Sequence, residues 1–426
     1  MLLACDVLLQ SVMRDVRALL PVVLAMVSCG PVKESPPGEL VASSKARVTT
    51  PAPDSDVAAT VSGNNAFAVD VYRKLAAGSP NVVFSPYSIT TALGMTYGGA
   101  KTTTATAFES TLHLSLPSDR FHRSMNAIDT ALRSRGQTDG AFRLSVENQL
   151  FAQKGFPFVP TFLDLLATEY GAGVRLLDFA AATEAARGAI NSWVKTNTEG
   201  LIPELLAPGD VDSSTVLTEV NTVYFNAGWM TKFSHDATRP ASFELMDGSQ
   251  KSAPTMFGEQ VPGAHAVVDG TLVVELPYKG GELSMILLMP PSGHLATFEA
   301  SLSAAELERH VAALSSDTFA IQMPKFSFSG RAELRQLLTD LGLGIAFSSQ
   351  ADFSGMSPQP LVIGRVVHEA VIRTDEDGTV AAAATAVEMR IGSLPMYLKV
   401  DRPFLFVIRD RGTGSIVFMG RVADPG

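Results

Sequence analysis

An α+β fold with large antiparallel sheets is predicted, and three observations carry the prediction. Helical and strand-like stretches come in blocks rather than in strict alternation. The last 60 residues are mostly β-branched and aromatic runs cut by Gly and Pro. No linker and no fixed-period repeat interrupts the stretch after residue 62, so one domain of about 360 residues is the simplest partition.

At the start of the 426-residue chain, Arg14 and Arg17 precede an apolar run from Ala18 to Val27 that ends in Ser28 and Cys29. A run of ten is too short to span a bilayer as a helix, which needs ~20 residues, and reads as the core of a signal peptide over residues 1–28. Met26-Val-Ser-Cys29 resembles the lipobox of bacterial lipoproteins, which would make Cys29 a lipid anchor; the alternative is an ordinary secretory peptide. Translation is expected to start at Met13. Either way the protein is expected to be exported, as an outer-membrane lipoprotein or as an extracellular or periplasmic protein, touching a membrane only through its N-terminus. Residues 29–62 are rich in Pro, Ser, Thr and Ala and predict a flexible tether to a domain at 63–426.

Within the domain, Asn65 to Leu75, Ser88 to Gly98 and Glu184 to Leu206 carry apolar residues at helical spacing. Val362 to Ile372, Leu398 to Val400, Phe404 to Arg409 and Ser415 to Arg421 read as strands.

Composition narrows the function. With 46% hydrophobic residues the chain is not disordered. Its two cysteines, Cys5 and Cys29, leave the body without a disulfide scaffold, a thiolate zinc site or a cysteine nucleophile. A net charge of −10 argues against nucleic acid as a partner. No HExxH pair and no Gly-x-Ser-x-Gly elbow occurs, so no metal, cofactor or catalytic residue is expected. One hydrolase constellation remains: Ser192-Trp-Val-Lys195, in which an amine would activate the serine, with Tyr224-Phe-Asn226 and Lys279-Gly-Gly281 following. Its spacings are short and its third motif lacks a hydroxyl.

The most unusual segment runs from Asp375 to Pro395, between two strand signals. It is too long for a hairpin turn and lacks a polar, Gly-rich composition. Laid out as a strand from Thr379, one face carries Thr379, Ala381, Ala383, Thr385, Val387, Met389 and Ile391, while both charges, Glu388 and Arg390, fall on the other. Such a segment can be buried on one side as a central strand; an Ala-rich helix is the alternative.

From Asn65 to Pro425 the sequence resembles the serpin family. The resemblance is carried by this loop and by Asn81-Val-Val-Phe-Ser-Pro-Tyr-Ser-Ile89, Gly99-Ala100, Asn191-Ser-Trp-Val194, Asn221-Thr-Val-Tyr-Phe225 with Trp229, Pro324-Lys-Phe326, Ala351-Asp-Phe-Ser-Gly355, Pro403 to Asp410 and Phe418 to Arg421. Asn226-Ala227 and Glu369 depart from the usual residues of the family. The resemblance implies three β-sheets, eight or nine helices and an exposed reactive-centre loop at about 376–395. It implies a monomeric suicide inhibitor of serine proteases, with cross-class inhibition of cysteine proteases a further implication. Counting from hinge Gly378 and back from Arg402-Pro-Phe404 places the reactive bond at Gly392-Ser393, flanked by Met389, Arg390, Ile391 and Leu394. Glycine there favours an elastase- or subtilisin-like target. By motif, the hinge is Gly378 to Ala384 (Thr379, Val380, Ala381, Ala382, Ala383), the shutter under the sheet is Ser85, Ser88, Asn221 and His368, and the breach at the loop's entry is Glu376, Lys325 and Trp229. A non-inhibitory serpin-fold binding protein is the second reading.

Overall fold

A computed structural model describes residues 34–135, 142–379 and 396–426, and Glu34 to Gly426 forms one compact unit. In chain order its strands and helices are β1 (Glu39–Val41), α1 (Asp54–Ala76), β2 (Val82–Phe84), α2 (Pro86–Tyr97), α3 (Thr102–Thr111), α4 (Ser118–Ser134) and β3 (Phe142–Gln153). Next come α5 (Pro160–Leu165), β4 (Val174–Leu177), α6 (Phe179–Asn197), β5 (Leu217–Gly228), β6 (Arg239–Glu244), β7 (Gln250–Val268), β8 (Thr271–Pro277) and β9 (Leu283–Met289). The chain continues through α7 (Leu295–Ser301), α8 (Ala304–Ala312), β10 (Ser315–Pro324), β11 (Phe326–Glu333), α9 (Arg335–Leu338), β12 (Arg365–Thr374), β13 (Gly378–Thr379), β14 (Tyr397–Lys399), β15 (Phe404–Asp410) and β16 (Ile416–Val422).

The strands form a seven-stranded sheet in the order β1-β4-β3-β5-β12-β11, with β13 against β5, and a nine-stranded sheet in the order β14-β10-β7-β8-β9-β15-β16-β2, with β6 against β7. The three sheets implied by the resemblance appear here as two hydrogen-bonded networks. The reason is β7: its 19 residues pair β6 at one end, β10 in the middle and β8 at the other end, so the two smaller sheets share a strand.

Strand alternation sends neighbouring residues of the first sheet to opposite faces. Val223, Phe225, Ala370 and Ile372 join the main core. Phe151, Val220 and Val367 pack instead beneath α6 with Ile190 and Trp193, forming a second apolar cluster. Helix α6 starts at an Asp178 cap, whose carboxylate accepts from the Ala181 amide, and ends before the positive-φ turn at Gly200, short of the expected end at Leu206.

Residues 34–62 differ from the expected tether. β1 adds an edge strand to the first sheet through Glu39, Leu40 and Val41, opposite Leu176, Arg175 and Val174. α1 begins at Asp54, with Asp54 and Asp56 in its first turn favourably placed against the helix dipole. A three-residue strand has no readable period, and Gly63-Asn64-Asn65 masks the helical pattern at the level of sequence. Gly63 is needed for packing, since a Cβ there would lie 2.8 Å from the His113 carbonyl oxygen. Cys29 and the signal segment lie outside the described residues.

Candidate functional site

The centre of the first sheet is divided. β5 and β12 pair in parallel from Thr218↔Arg365 to Tyr224↔Val371, and there the ladder stops. β12 runs on to Thr374 and the chain reverses over Asp375 to Gly378, with amide-to-carbonyl bonds of 2.9 and 3.2 Å closing the turn. It returns as β13, antiparallel to β5 at Gly378↔Gly228 and Thr379↔Ala227. The hinge thus occupies the mouth of a slot whose lower part is closed. Gly378 has φ +146°, and a Cβ on it would lie 2.1 Å from the Ala227 carbonyl oxygen, so only glycine fits this approach.

Thr379 is fully buried, and its hydroxyl lies 3.0 Å from that of Tyr278. Tyr278 stacks on Trp229 with ring centroids 4.8 Å apart and planes 4° from parallel. Trp229 in turn donates from its indole to the Asp375 carbonyl (2.9 Å) and from its amide to the Asp377 carbonyl (2.9 Å). Below this platform, Lys325 donates to Glu376 at 2.6 Å and Thr238 donates to the other oxygen at 2.7 Å. Burial raises the Glu376 pKa, but the Lys325 and Thr238 hydrogen bonds outweigh it and hold the carboxyl below its usual range. Lys232 (2.9 Å) and His235 (3.2 Å) hold Asp377. The expected breach residues therefore meet, joined by Tyr278, Lys232, His235, Thr238 and Asp377. Asp377 adjoins the hinge itself; the other four carry no local sequence signal, because they meet the hinge across about a hundred residues of chain or more.

The residues expected to form the shutter lie together on the inner face of the first sheet. His368 bonds with Asn221 through Nδ1, and its Nε2 accepts from the Ser85 amide at 3.1 Å. Asn221 donates to Ser88 Oγ (2.6 Å) and to Asn148, and Ser88 donates to Asn148 (3.1 Å). Complete burial lowers the His368 pKa to about 3, so the imidazole is neutral and its Nδ1 proton is committed to Asn221. Asn148 is the member that sequence reasoning missed; it stands opposite Asn221 in the β3–β5 ladder. Glu369 faces the α6 side opposite Arg331, and burial pushes its carboxyl up to about 7 against the pull of that arginine.

A second buried carboxyl, Glu219, is pushed up to about 8 by burial, with only Thr96 Oγ1 at 3.5 Å beside one oxygen.

Val380 to Pro395, with the rest of the expected hinge, the reactive bond Gly392-Ser393 and its flanking residues, lie outside the described residues. The hydrolase constellation does not converge on a cleft: Ser192 and Lys195 are exposed on α6, while the Tyr224 hydroxyl donates to Glu199 (3.0 Å) and accepts from Asn226 (3.1 Å) on the sheet. Among the described residues no group of three or more His, Cys, Asp or Glu is placed to hold a metal, and no helix is long and apolar enough to cross a membrane.

Comparison with known proteins agrees with this geometry. The family described as Serpin (serine protease inhibitor) matches residues 62–425. Leukocyte elastase inhibitor A of Rattus norvegicus is 37% identical over 381 residues, covering 85% of this chain and 99% of the relative. An uncharacterized serpin-like protein of Methanosarcina acetivorans is 34% identical, covering 87% of this chain and 88% of the relative. Among solved structures, uncleaved ovalbumin superposes with a TM-score of 0.77 at 26% identity, covering 86% of this chain and all of ovalbumin. Human thyroxine-binding globulin in complex with thyroxine gives 0.78 at 29% identity, covering 87% and 99%. The chain belongs to the serpin family.

Proposed function

We propose that this chain is a suicide inhibitor of serine proteases with Gly392-Ser393 as its reactive bond. A protease serine attacks the Gly392 carbonyl carbon, the bond to Ser393 breaks with its amine as leaving group, and Gly392 is left as an acyl ester on the protease. The freed loop then extends β13 down the slot. Fourteen residues from Thr379 to Gly392, at ~3.3 Å each, make a strand of roughly 46 Å that carries the protease with it. Displacing the protease's oxyanion hole by this pull removes donors worth ~10² to 10³ in rate each, and the ester persists.

The observation that carries this reading is the fully buried Thr379, already paired with β5 at the slot's mouth. Residues 380–387 that follow are small or apolar, with neither proline nor charge, so their entry involves little desolvation. Continued without a bulge, the Gly378↔Gly228 register brings Thr385 opposite Asn221, between that residue and His368. Insertion must therefore break the Asn221–His368 hydrogen bond and offers a hydroxyl in its place. Gly392 suits a protease with a narrow primary pocket, and several relatives are named as inhibitors of leukocyte elastase. Cross-class action on cysteine proteases uses the same loop. Cys29 as a lipid anchor on an exported chain completes the proposal.

Incubation with elastase-, subtilisin-, chymotrypsin-, trypsin- and papain-like enzymes tests it. An SDS-stable complex with cleavage after Gly392 is the expected result. Clean loop cleavage without a complex refutes inhibition and favours a binding protein on this fold, the role that the name of thyroxine-binding globulin gives to that neighbour.

A further inference from the structure

The segment ahead of α1 lies wholly outside the family match, which begins at residue 62, yet it is built into the insertion sheet. At its start the Glu34 carbonyl accepts from Trp193 Nε1 (3.1 Å) and Asn197 Nδ2 (3.0 Å), which fastens it to α6. β1 then pairs with β4, and Arg175 donates to the Gly38 carbonyl at 3.1 Å. Beyond β1 the segment crosses to the helices behind the sheet. Ser43 and Lys45 reach Asp164 at 2.6 and 2.8 Å, and the Val48 amide donates to Thr168 at 2.8 Å. Arg47 donates to Asn126 (2.7 Å) and pairs with Asp129 (2.7 Å) on α4. Asp129 also accepts from Tyr87 (2.9 Å) on α2, the helix that carries Ser88 of the shutter.

Admitting a strand requires β5 and β12 to part by one further strand spacing, ~4.8 Å. The β12-β11 half is fixed: β11 lies so close to β2 that a Cβ on Gly330 would be 2.2 Å from the Val83 carbonyl oxygen, and His368 accepts from the Ser85 amide. The β1-β4-β3-β5 half, with α6 on it, is then the part that moves. The segment joins that half to α4, which Tyr87 pins to α2. A shift of several ångströms cannot keep the 2.7 Å bonds of Arg47 to Asn126 and Asp129 on α4.

We propose that residues 34–50 are a clamp on the insertion sheet that sets how fast it opens and so keeps the loop outside until cleavage. This inference rests on the insertion reading. Breaking the clamp leaves the loop-inserted form untouched but lowers the barrier to reach it.

The test uses the full chain and a synthetic peptide of residues 379–391, which enters the slot in place of the loop without any protease. Arg47→Ala removes the side-chain ties to α4 and leaves only the bond from Asn126 to the Val48 carbonyl (2.8 Å). Gly38→Val breaks the entry to β1, where φ is +92° and a Cβ would lie 2.5 Å from the Leu176 carbonyl oxygen. Peptide uptake is expected to be about tenfold faster in Arg47→Ala and at least as fast in Gly38→Val, with the thermal stability of the loop-cleaved form unchanged in Arg47→Ala, whose α4 tie is already broken there. Uptake within twofold of the parent in both variants, or a loss of stability in the cleaved form of Arg47→Ala equal to that in its uncleaved form, overturns the clamp. A parent that never takes up peptide refutes loop insertion itself, so the two failures are distinguishable.

Discussion

Replacing Thr379 with arginine tests the slot directly. Thr379 is fully buried opposite Ala227 with its hydroxyl on Tyr278, and no acidic side chain is among its hydrogen-bond partners. A guanidinium there must be buried unpaired or must keep the hinge out, and an effective penalty of several kcal/mol per buried ion applies either way. Taking about 3 kcal/mol onto the insertion barrier, insertion slows roughly 150-fold. If insertion in the parent outruns deacylation about tenfold, deacylation in the variant wins by roughly 15 to 1, at about 1.36 kcal/mol per factor of ten. Nearly every encounter then ends in cleaved inhibitor and free protease. The assay is titration of a susceptible protease, with denaturing gels to count complex against cleaved product. Thr379→Val, which keeps shape and neutrality, is the control and should retain most of the complex. An SDS-stable complex from Thr379→Arg at near 1:1 stoichiometry refutes the argument that this buried position is the gateway of insertion.

Glu219→Gln should change the pH profile of stability. The raised pKa means that the native chain holds a proton which the unfolded chain releases above about pH 4.5, so the parent loses stability up to about pH 8, by on the order of 5 kcal/mol; urea midpoints should diverge in favour of the variant as pH rises, and parallel profiles refute the assignment. Lys325→Met removes the main partner of a nearly buried Glu376 carboxylate and should lower stability at pH 7 by about 1–3 kcal/mol. The deficit should shrink below pH 4.5, where the depressed Glu376 pKa ceases to stabilise the parent; a deficit independent of pH refutes it. Asn221→Ala leaves the His368 Nδ1 proton and Ser88 short of partners and should lower the urea midpoint, with a cost of about 2–4 kcal/mol. Asn148→Ala, which leaves the Asn221–His368 bond intact, should cost less, and equal costs refute the ordering.

Much of the fold was readable because its signals are local and redundant. The strand expected at Phe404–Arg409 runs Phe404–Asp410, and the helix expected at Ser88–Gly98 runs Pro86–Tyr97, starting at a Ser85 cap that accepts from the Ser88 amide. The residues that motifs assign to a shutter and a breach are brought together by the ladders. Asn148 was not readable, because alternation along β3 assigns a face but not a partner; only the β3–β5 register sets it against Asn221. Nor were β1 and the residues that tie it down, since three strand residues have no period and hydrogen bonds from Arg47 or Glu34 to distant helices leave no trace in spacing.

On the proposed insertion reading the slot is filled in two ways, and sequence patterns convey this least. Between Thr218 and Tyr224 the backbone edge of β5 is satisfied by β12, and at Ala227 and Gly228 by β13. An inserted strand would satisfy both edges again, so the two states have almost the same paired groups on the old strands. The proposed insertion would gain from pairing the loop's own amides and carbonyls with two neighbouring strands, and from burying the face that runs from Thr379 to Ile391. The barrier comes from whatever must part first: the Asn221–His368 bond, the Tyr278–Thr379 contact and the ties of residues 34–50. Periodicity and composition report the gain, because they describe what the loop can bury. The barrier is held in contacts between residues far apart in the chain, and it appears only once the register of the strands is known.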